Sequence, residues 1–207
     1  MNSKPVIALD ADGVLLDYHE GYARAWEQAF GQPIAVADPQ AYWPWDRYGV
    51  PRLEMTERKR LQAAMDEVFW ANLRPMPGAV EACEMLHQAG HRLVCVSALD
   101  PRFENARQRN FWEQGLPIER VVATGRPGLV SPEALSPKAA ALRELAPVAF
   151  VDDYLPYFRG VPREAGMHCA LVARSPNGSP NHGDGLQWVD SVHEDLLGFA
   201  QRWVFGM

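Results

Sequence analysis

The sequence predicts an α/β protein: a Rossmann-like parallel sheet with helices on both faces and an inserted small helical cap. Three observations carry that expectation. From residue 77 onward, short apolar runs alternate with segments of helical period, the pattern of repeated βαβ units. The first apolar run, "VIAL" at 6–9, stops at two aspartates one residue apart. Residues 18–76 hold helical patterns and no convincing strand.

The elements follow in order. Val6 to Leu9 reads as a buried strand, short and partly β-branched. "EGYARAWEQAF" places Tyr22, Trp26 and Phe30 four apart and stops at Gly31, which predicts a helix. "AYWPWDRYGV" at 41–50 is aromatic and broken by proline, and "LEMTERKRLQAAMDEVFW" is a second helical pattern. Pro77-Gly78 opens a helix through Gln88, with Val80, Cys83, Met85 and Leu86 on its apolar face and Gly90 beyond its end. "RLVCV" (92–96) is a strand ending at Ser97, and Asp100-Pro101 is a helix start. "RVVAT" (120–124), "VAFV" (148–151) and "HCALV" (168–172) are further strands, and Ser136-Pro137 begins another helix. This divides the chain into a core (1–17 and 77–207) and an insert (18–76), tethered near Leu16-Asp17 and "RPMPG". The stretch "SPNGSPNHGDG" (175–185) reads as a loop.

Composition narrows the function classes. The chain has 207 residues, 47% hydrophobic and 22% charged, with a formal net charge of −6. That balance suits a globular protein, and the net charge and lack of a basic run argue against a general binder of nucleic acid or membrane surface. No apolar run is long enough to span a bilayer, and the N-terminus shows no signal-peptide core. Cys83, Cys95 and Cys169 are odd in number and widely spaced, which reads as reduced thiols in a cytoplasmic protein.

Asp10 and Asp12 pose a physical question. Continued along a strand, their side chains would share a side, and two desolvated like charges repel. In open α/β sheets ligands bind at the carboxyl ends of the strands. Those ends here deliver Asp10 and Asp12, then Ser97, then Asp152 and Asp153, with Lys138 at a helix start. An excess of carboxylates beside one lysine calls for a hard divalent cation such as Mg²⁺. A calcium loop does not fit "DADG", because its fifth and twelfth positions would be Val14 and Gly21. Arg126 is a rival to Lys138 as the phosphate-pairing cation. His19, His182 and Asp184 read as loop residues.

"DADGVL", Ser97, Lys138 and "VDD", in that order, resemble the four motifs of the haloacid dehalogenase superfamily of phosphohydrolases, and the insert resembles the helical cap many members carry. The resemblance covers roughly residues 4–172. It implies a nucleophile at Asp10, which becomes an aspartyl-phosphate, and an acid and base at Asp12. It implies that Ser97 hydrogen-bonds the phosphoryl group and Lys138 pairs with its charge. An Mg²⁺ site would draw on Asp10, the Asp12 carbonyl, and Asp152 or Asp153. One departure stands out: many members carry another acid a few places after the fourth motif, where this chain has Tyr157 and Phe158. Halide release needs no proton and halide-releasing members lack an aspartate at position 12, so the resemblance implies phosphate rather than halide chemistry.

The chemistry fits these residue types independently. Phosphate monoester hydrolysis asks for accelerations of up to about 10²¹-fold, on the order of 28 kcal/mol. Positioning, a covalent carboxylate intermediate and charge neutralisation share that demand, and an alkoxide leaving group needs a proton. The expected function is Mg²⁺-dependent hydrolysis of a small phosphorylated metabolite. The alternatives are transfer to another acceptor (phosphotransferase or mutase) and a noncatalytic phospho-ligand module on the same fold. The "DGVLLD" run and the "SPN…W" tail also resemble 5′(3′)-deoxyribonucleotidases, which points towards a nucleotide. Ala98, Trp43, Trp45 and Arg47 join Ser97 as expected substrate contacts, with Tyr42 as a further surface for a base.

Overall fold

A computed structural model describes residues 4–125, 135–163 and 166–206. The strands are β1 (Val6–Leu9), β2 (Arg92–Ser97), β3 (Ile118–Ala123), β4 (Ala149–Asp152), β5 (His168–Val172) and β6 (Ser191–His193). They form one sheet in the order β3-β2-β1-β4-β5-β6, parallel throughout. Strand alternation makes its two faces. Ile7 and Leu9 of β1, and Ala149 and Val151 of β4, enter one core with α5 (Ala79–Gln88), α6 (Glu104–Glu113) and α8 (Leu196–Phe205). Ala8 and Phe150 enter the other, against Leu142 of α7 (Ala139–Leu145), Phe158 and Met167. Burying Phe150 (0% exposed) and Phe199 (1% exposed) contributes about 1.5–3 kcal/mol each.

The order reverses direction at β1, whose neighbours are β2 on one side and β4 on the other. Crossovers leave that strand in opposite directions and open a crevice beyond its carboxyl end, where ligands bind in such sheets.

Between β1 and α5 lie α1 (Tyr18–Phe30), α2 (Pro44–Arg47), α3 (Met55–Ala64) and α4 (Glu67–Ala71). Two short backbone contacts close this excursion: Asp17 N–H donates to Arg74 O at 2.8 Å and Met76 N–H to Leu15 O at 2.9 Å. Leu15, Asp17, Arg74 and Met76 thereby hold the two ends of the excursion together. The pattern expected as one helix over 53–70 is two, because the Asp66 carboxylate accepts from Phe69 N–H and starts α4.

Three further features depart from the reading of the sequence. β6 and α8 were not anticipated; β6 has only three residues and no buried apolar alternation. The helix expected from Ser136-Pro137 begins only at Ala139, as the seven-residue α7, with Lys138 as its N-cap. The segment after β5 is more than a loop. Asn177 N–H donates to Gln40 O and Asn177 O accepts from Tyr42 N–H, while the Asn177 side chain donates to Asp38 at 2.9 Å. Asn181 Nδ2 donates to Asp153 O at 2.7 Å and its Oδ1 accepts from Leu155 N–H at 2.8 Å. One short stretch thus fastens the aromatic segment of the insert and the turn after β4.

Cys83, Cys95 and Cys169 are buried and free. Among the described residues no helix is long and apolar enough to cross a membrane.

Candidate active site

β1 ends at Leu9, and the chain turns rather than continuing extended. Leu15 and Leu16 N–H both donate to Ala11 O, and Gly13 N–H donates to Leu16 O. Gly13 sits at φ +88°, a conformation that costs any residue with a side chain. The turn separates the two aspartates. Asp10 faces Lys138, whose Nζ donates to Asp10 Oδ1 and to Asp152 Oδ2, each at 2.5 Å. Asp12 takes a different partner, its Oδ1 accepting from Arg107 Nη2 at 2.8 Å. Each carboxylate therefore has its own cation, which answers much of the repulsion the sequence posed.

Lys138 is fully buried. Burial alone would lower its pKa, but the Asp10 and Asp152 charges outweigh it and hold the ammonium above its ordinary value. Its Nζ also lies over the Tyr157 ring, 4.9 Å from the centroid. Tyr157 thus presents a ring face to the buried ammonium.

Asp10, Asp152 and Asp153 bring carboxylate oxygens within 4.8 Å of one another. Burial raises the pKa of all three, most directly by desolvation; Asp152 is pushed up to about 7, and the Asp10 and Asp152 charges add to the rise at Asp153. One lysine cannot neutralise three carboxylates. Asp153 is the member whose side chain takes no hydrogen bond from the protein among the described residues, while its main chain is held by Asn181. Three oxygens at this spacing with net negative charge fit a hard divalent cation.

A cavity of about 500 Å³ opens beside this group. Asp10, Asp12 and Asp153 line its floor together with Ser97 and Ala98 at the end of β2. Lys138 and Asp152 lie beneath, shielded from solvent. Its outer wall is aromatic: Trp43 and Trp45 stack at 4.9 Å with their planes 9° apart, and Tyr42 stacks on Tyr154 at 6.3 Å. Burial and the neighbouring Asp153, Asp152 and Asp10 charges hold the Tyr42 phenol protonated, well above its usual range.

The structure thus gathers Asp10, Asp12, Ser97, Ala98, Lys138, Asp152, Asp153, Trp43 and Trp45 around one cavity. Arg47 lies apart from it, with Nη1 donating to Pro39 O at 2.5 Å, which knits the short segment around α2. Arg126 lies outside the described residues. Sequence reasoning passed over Arg107, Tyr154, Asn181 and the cavity-lining Arg174. The doubled "SPN" at 175–177 and 179–181 was a signal for Asn181; Arg107 sits in an ordinary helical stretch and carried none.

The chain matches the haloacid dehalogenase-like hydrolase family over residues 4–155 and belongs to it. Locally it is 37% identical over 78 residues to the human mitochondrial 5′(3′)-deoxyribonucleotidase, a match covering 37% of this chain and 34% of that protein. A match of 30% over 82 residues to the mouse mitochondrial 5′(3′)-deoxyribonucleotidase covers 39% and 37%. The chain therefore aligns with about a third of the length of these relatives. Among solved structures, a haloacid dehalogenase-like family protein of Streptococcus pneumoniae superposes with TM-score 0.63 over 98% of this chain and 100% of that one, at 17% identity. A putative β-phosphoglucomutase of Thermotoga maritima gives 0.57 over 96% and 99%, at 20% identity. These likenesses speak to the fold.

Proposed function

We propose that this chain hydrolyses a small phosphomonoester through an aspartyl-phosphate on Asp10. One observation carries the reading: a fully buried lysine bridges Asp10 and Asp152 on the floor of a cavity whose other carboxylate, Asp12, is held separately. Such an arrangement supplies a nucleophile, a cation for a transferring phosphoryl group and a second acid in one place.

The steps follow from the side chains. Lys138 engages Asp10 Oδ1, which leaves Oδ2 to attack phosphorus. As the Oδ2–P bond forms, the ester P–O bond breaks and its electron pair goes to the leaving oxygen, which takes the proton of Asp12. Water then attacks the phosphoryl group, gives its proton to Asp12, and releases inorganic phosphate and the Asp10 carboxylate. Ser97, 3% exposed at the end of β2, hydrogen-bonds a phosphoryl oxygen. Asp10, the Asp12 carbonyl, Asp152 and Asp153 would hold Mg²⁺, with Asp153 favoured over Asp152 as the direct ligand because Asp152 is already committed to Lys138. When bound, Mg²⁺ supplies charge neutralisation for the dianionic group.

Residues 18–76 act as a cap over the core of 1–17 and 77–207. The core residues touch phosphate and metal only, so the aromatic segment at 42–45 selects the leaving group. A flat heterocycle suits two parallel indoles, and the local identity to deoxyribonucleotidases supports a nucleotide. Three buried free cysteines suit a reducing compartment, and we place the reaction in the cytoplasm.

A screen of nucleoside monophosphates, sugar phosphates and an aryl phosphate, each with and without Mg²⁺, tests the reading. Mg²⁺-dependent release of inorganic phosphate is expected. Ligand binding without turnover of any ester, or turnover only when a second acceptor alcohol is present, would replace it.

A further inference from the structure

α6 turns two polar side chains into the interior, Arg107 and Asn110, both 0% exposed. They are three residues apart and so share a face of the helix. Asn110 Nδ2 donates to Leu73 O at 2.9 Å, on the tether by which the insert returns to the core. Arg107 Nη2 donates to Asp12 Oδ1 at 2.8 Å, and its guanidinium carbon lies 5.0 Å from the centroid of Trp70. Trp70 belongs to α4 of the insert and lines the cavity.

Arg107 is an expensive way to fill this space. Its Nε and Nη1 are buried and have no hydrogen-bond partner among the described residues. A buried charge with unmet donors destabilises a fold, and an apolar side chain of similar volume would pack there at less cost. Packing therefore does not account for a guanidinium at this position. What the guanidinium alone supplies is a directed hydrogen bond to one oxygen of Asp12. Among the described residues Asp12 has no other side-chain partner, so its Oδ2 is the oxygen left for the cavity.

We propose that Arg107 is a positioning residue for the reaction. It fixes Asp12 in the orientation that presents Oδ2 to the ester oxygen, and its contact with Trp70 sets that carboxyl in register with the insert. The inference rests on the reading of Asp12 as the proton donor. As the ester P–O bond breaks, the proton on Oδ2 passes to the leaving oxygen while Oδ1 stays on Arg107. In the second half, the attacking water returns a proton to the same oxygen. Rotation of the carboxylate by one torsion would carry Oδ2 away, and errors of that size are costly to proton transfer.

The test compares Arg107→Met and Arg107→Lys with the unchanged protein on two esters, 4-nitrophenyl phosphate and a simple alkyl phosphate, at saturating Mg²⁺. The aryl leaving group departs with little help from an acid; the alkoxide needs it. For Arg107→Met, kcat on the alkyl ester should fall about 100-fold or more, the range a general acid supplies, while kcat on the aryl ester falls less than about tenfold and KM on either changes little. Arg107→Lys should recover part of the alkyl loss. Combined with Asp12→Asn, Arg107→Met should cost nothing further on the alkyl ester, since the group it orients is gone. Equal losses on the two esters, or a full additional loss in the double variant, would overturn the inference and leave the phosphatase reading intact. If Arg107→Met does not fold, the same leaving-group comparison on Arg107→Lys decides. An unchanged protein that turns over neither ester overturns both readings together.

Discussion

A carbon atom attached to Gly13 would stand 2.3 Å from Oδ2 of Asp153. The main chain after the first aspartates and the carboxylate after β4 are thus packed face to face, with no room for a methyl group. Gly13 also holds φ +88°. Two independent demands, one conformational and one steric, fall on a single residue.

Gly13→Ala should therefore lose both stability and metal binding. The left-handed backbone alone costs about 1–2 kcal/mol, and displacement of Asp153 adds to it. Gly31→Ala is the comparison, since that glycine has φ +75° and nothing within 4 Å of the new carbon. Urea unfolding should show a loss of about 1–2 kcal/mol for Gly31→Ala, and a larger one for Gly13→Ala. Isothermal titration with Mg²⁺ should weaken only in the latter. Equal behaviour of the two variants would mean that the Gly13–Asp153 contact has no part in the site.

Metal removal gives the second prediction. Phosphate release should stop in excess chelator and return on adding Mg²⁺, because three clustered carboxylates, Asp10 and Asp152 of them buried, and one lysine cannot also accommodate a dianion. Asp153→Asn should raise the Mg²⁺ concentration needed for half activity more than Asp152→Asn changes it. The Asp152 variant should instead lower thermal stability, since Asp152 is fully buried and paired with Lys138. A chelated protein, free of metal by elemental analysis, that still turns over substrate would contradict this.

Asp10→Asn should abolish turnover while the variant stays folded, because the amide can still accept from Lys138. Acid-quenched reactions of the unchanged protein with a ³²P-labelled ester should leave label on the chain, and the variant should leave none. Label on the Asp10→Asn protein would place the nucleophile elsewhere.

Trp43→Leu and Trp45→Leu address selectivity. The two indoles stack on each other, and Trp43 also meets Tyr42 edge-on at 5.0 Å. At least one replacement should keep its melting temperature and its rate on a small aryl phosphate while losing about tenfold or more on the preferred ester, since base–aromatic stacking contributes about 1–3 kcal/mol. If both variants lose stability and all activity together, the pair serves packing.

Asn181→Ala removes two hydrogen bonds, one to Asp153 O and one from Leu155 N–H. A loss of about 1–3 kcal/mol in unfolding free energy is expected, with weaker Mg²⁺ binding beside it. Asn177→Ala, which frees Asp38 instead, should leave Mg²⁺ binding close to that of the unchanged protein.

How much of this was legible in the sequence depended on how local each signal was. The buried central strands announce themselves because both faces are covered, so nearly every residue from Leu93 to Val96 is apolar. β6 gives no such signal, since its pattern at Ser191–His193 is half-exposed. The strand-end aspartates were readable because acids directly after apolar runs are costly. Arg107 was not: inside "ENARQRNFWE" it looks like any helical arginine, and only tertiary contact with Asp12 and Trp70 sets it apart. Arg47 shows the converse. Its place among tryptophans suggested a ligand contact, yet the backbone of Pro39 claims its guanidinium.

The two asparagines after β5 bear on how such a protein could be re-engineered. Asn177 meets the insert and Asn181 meets the acidic turn, four residues apart on one short run of chain. On the proposed function, selectivity and metal binding are consequently not separable cassettes. A chimera that exchanges residues 18–76 for the insert of a relative would leave Asn177 without Asp38, Gln40 and Tyr42, and would strain a stretch whose other end steadies Asp153. A graft meant to change the substrate without weakening the proposed metal site has to travel with residues 175–181, although residues 77–174 divide the two segments.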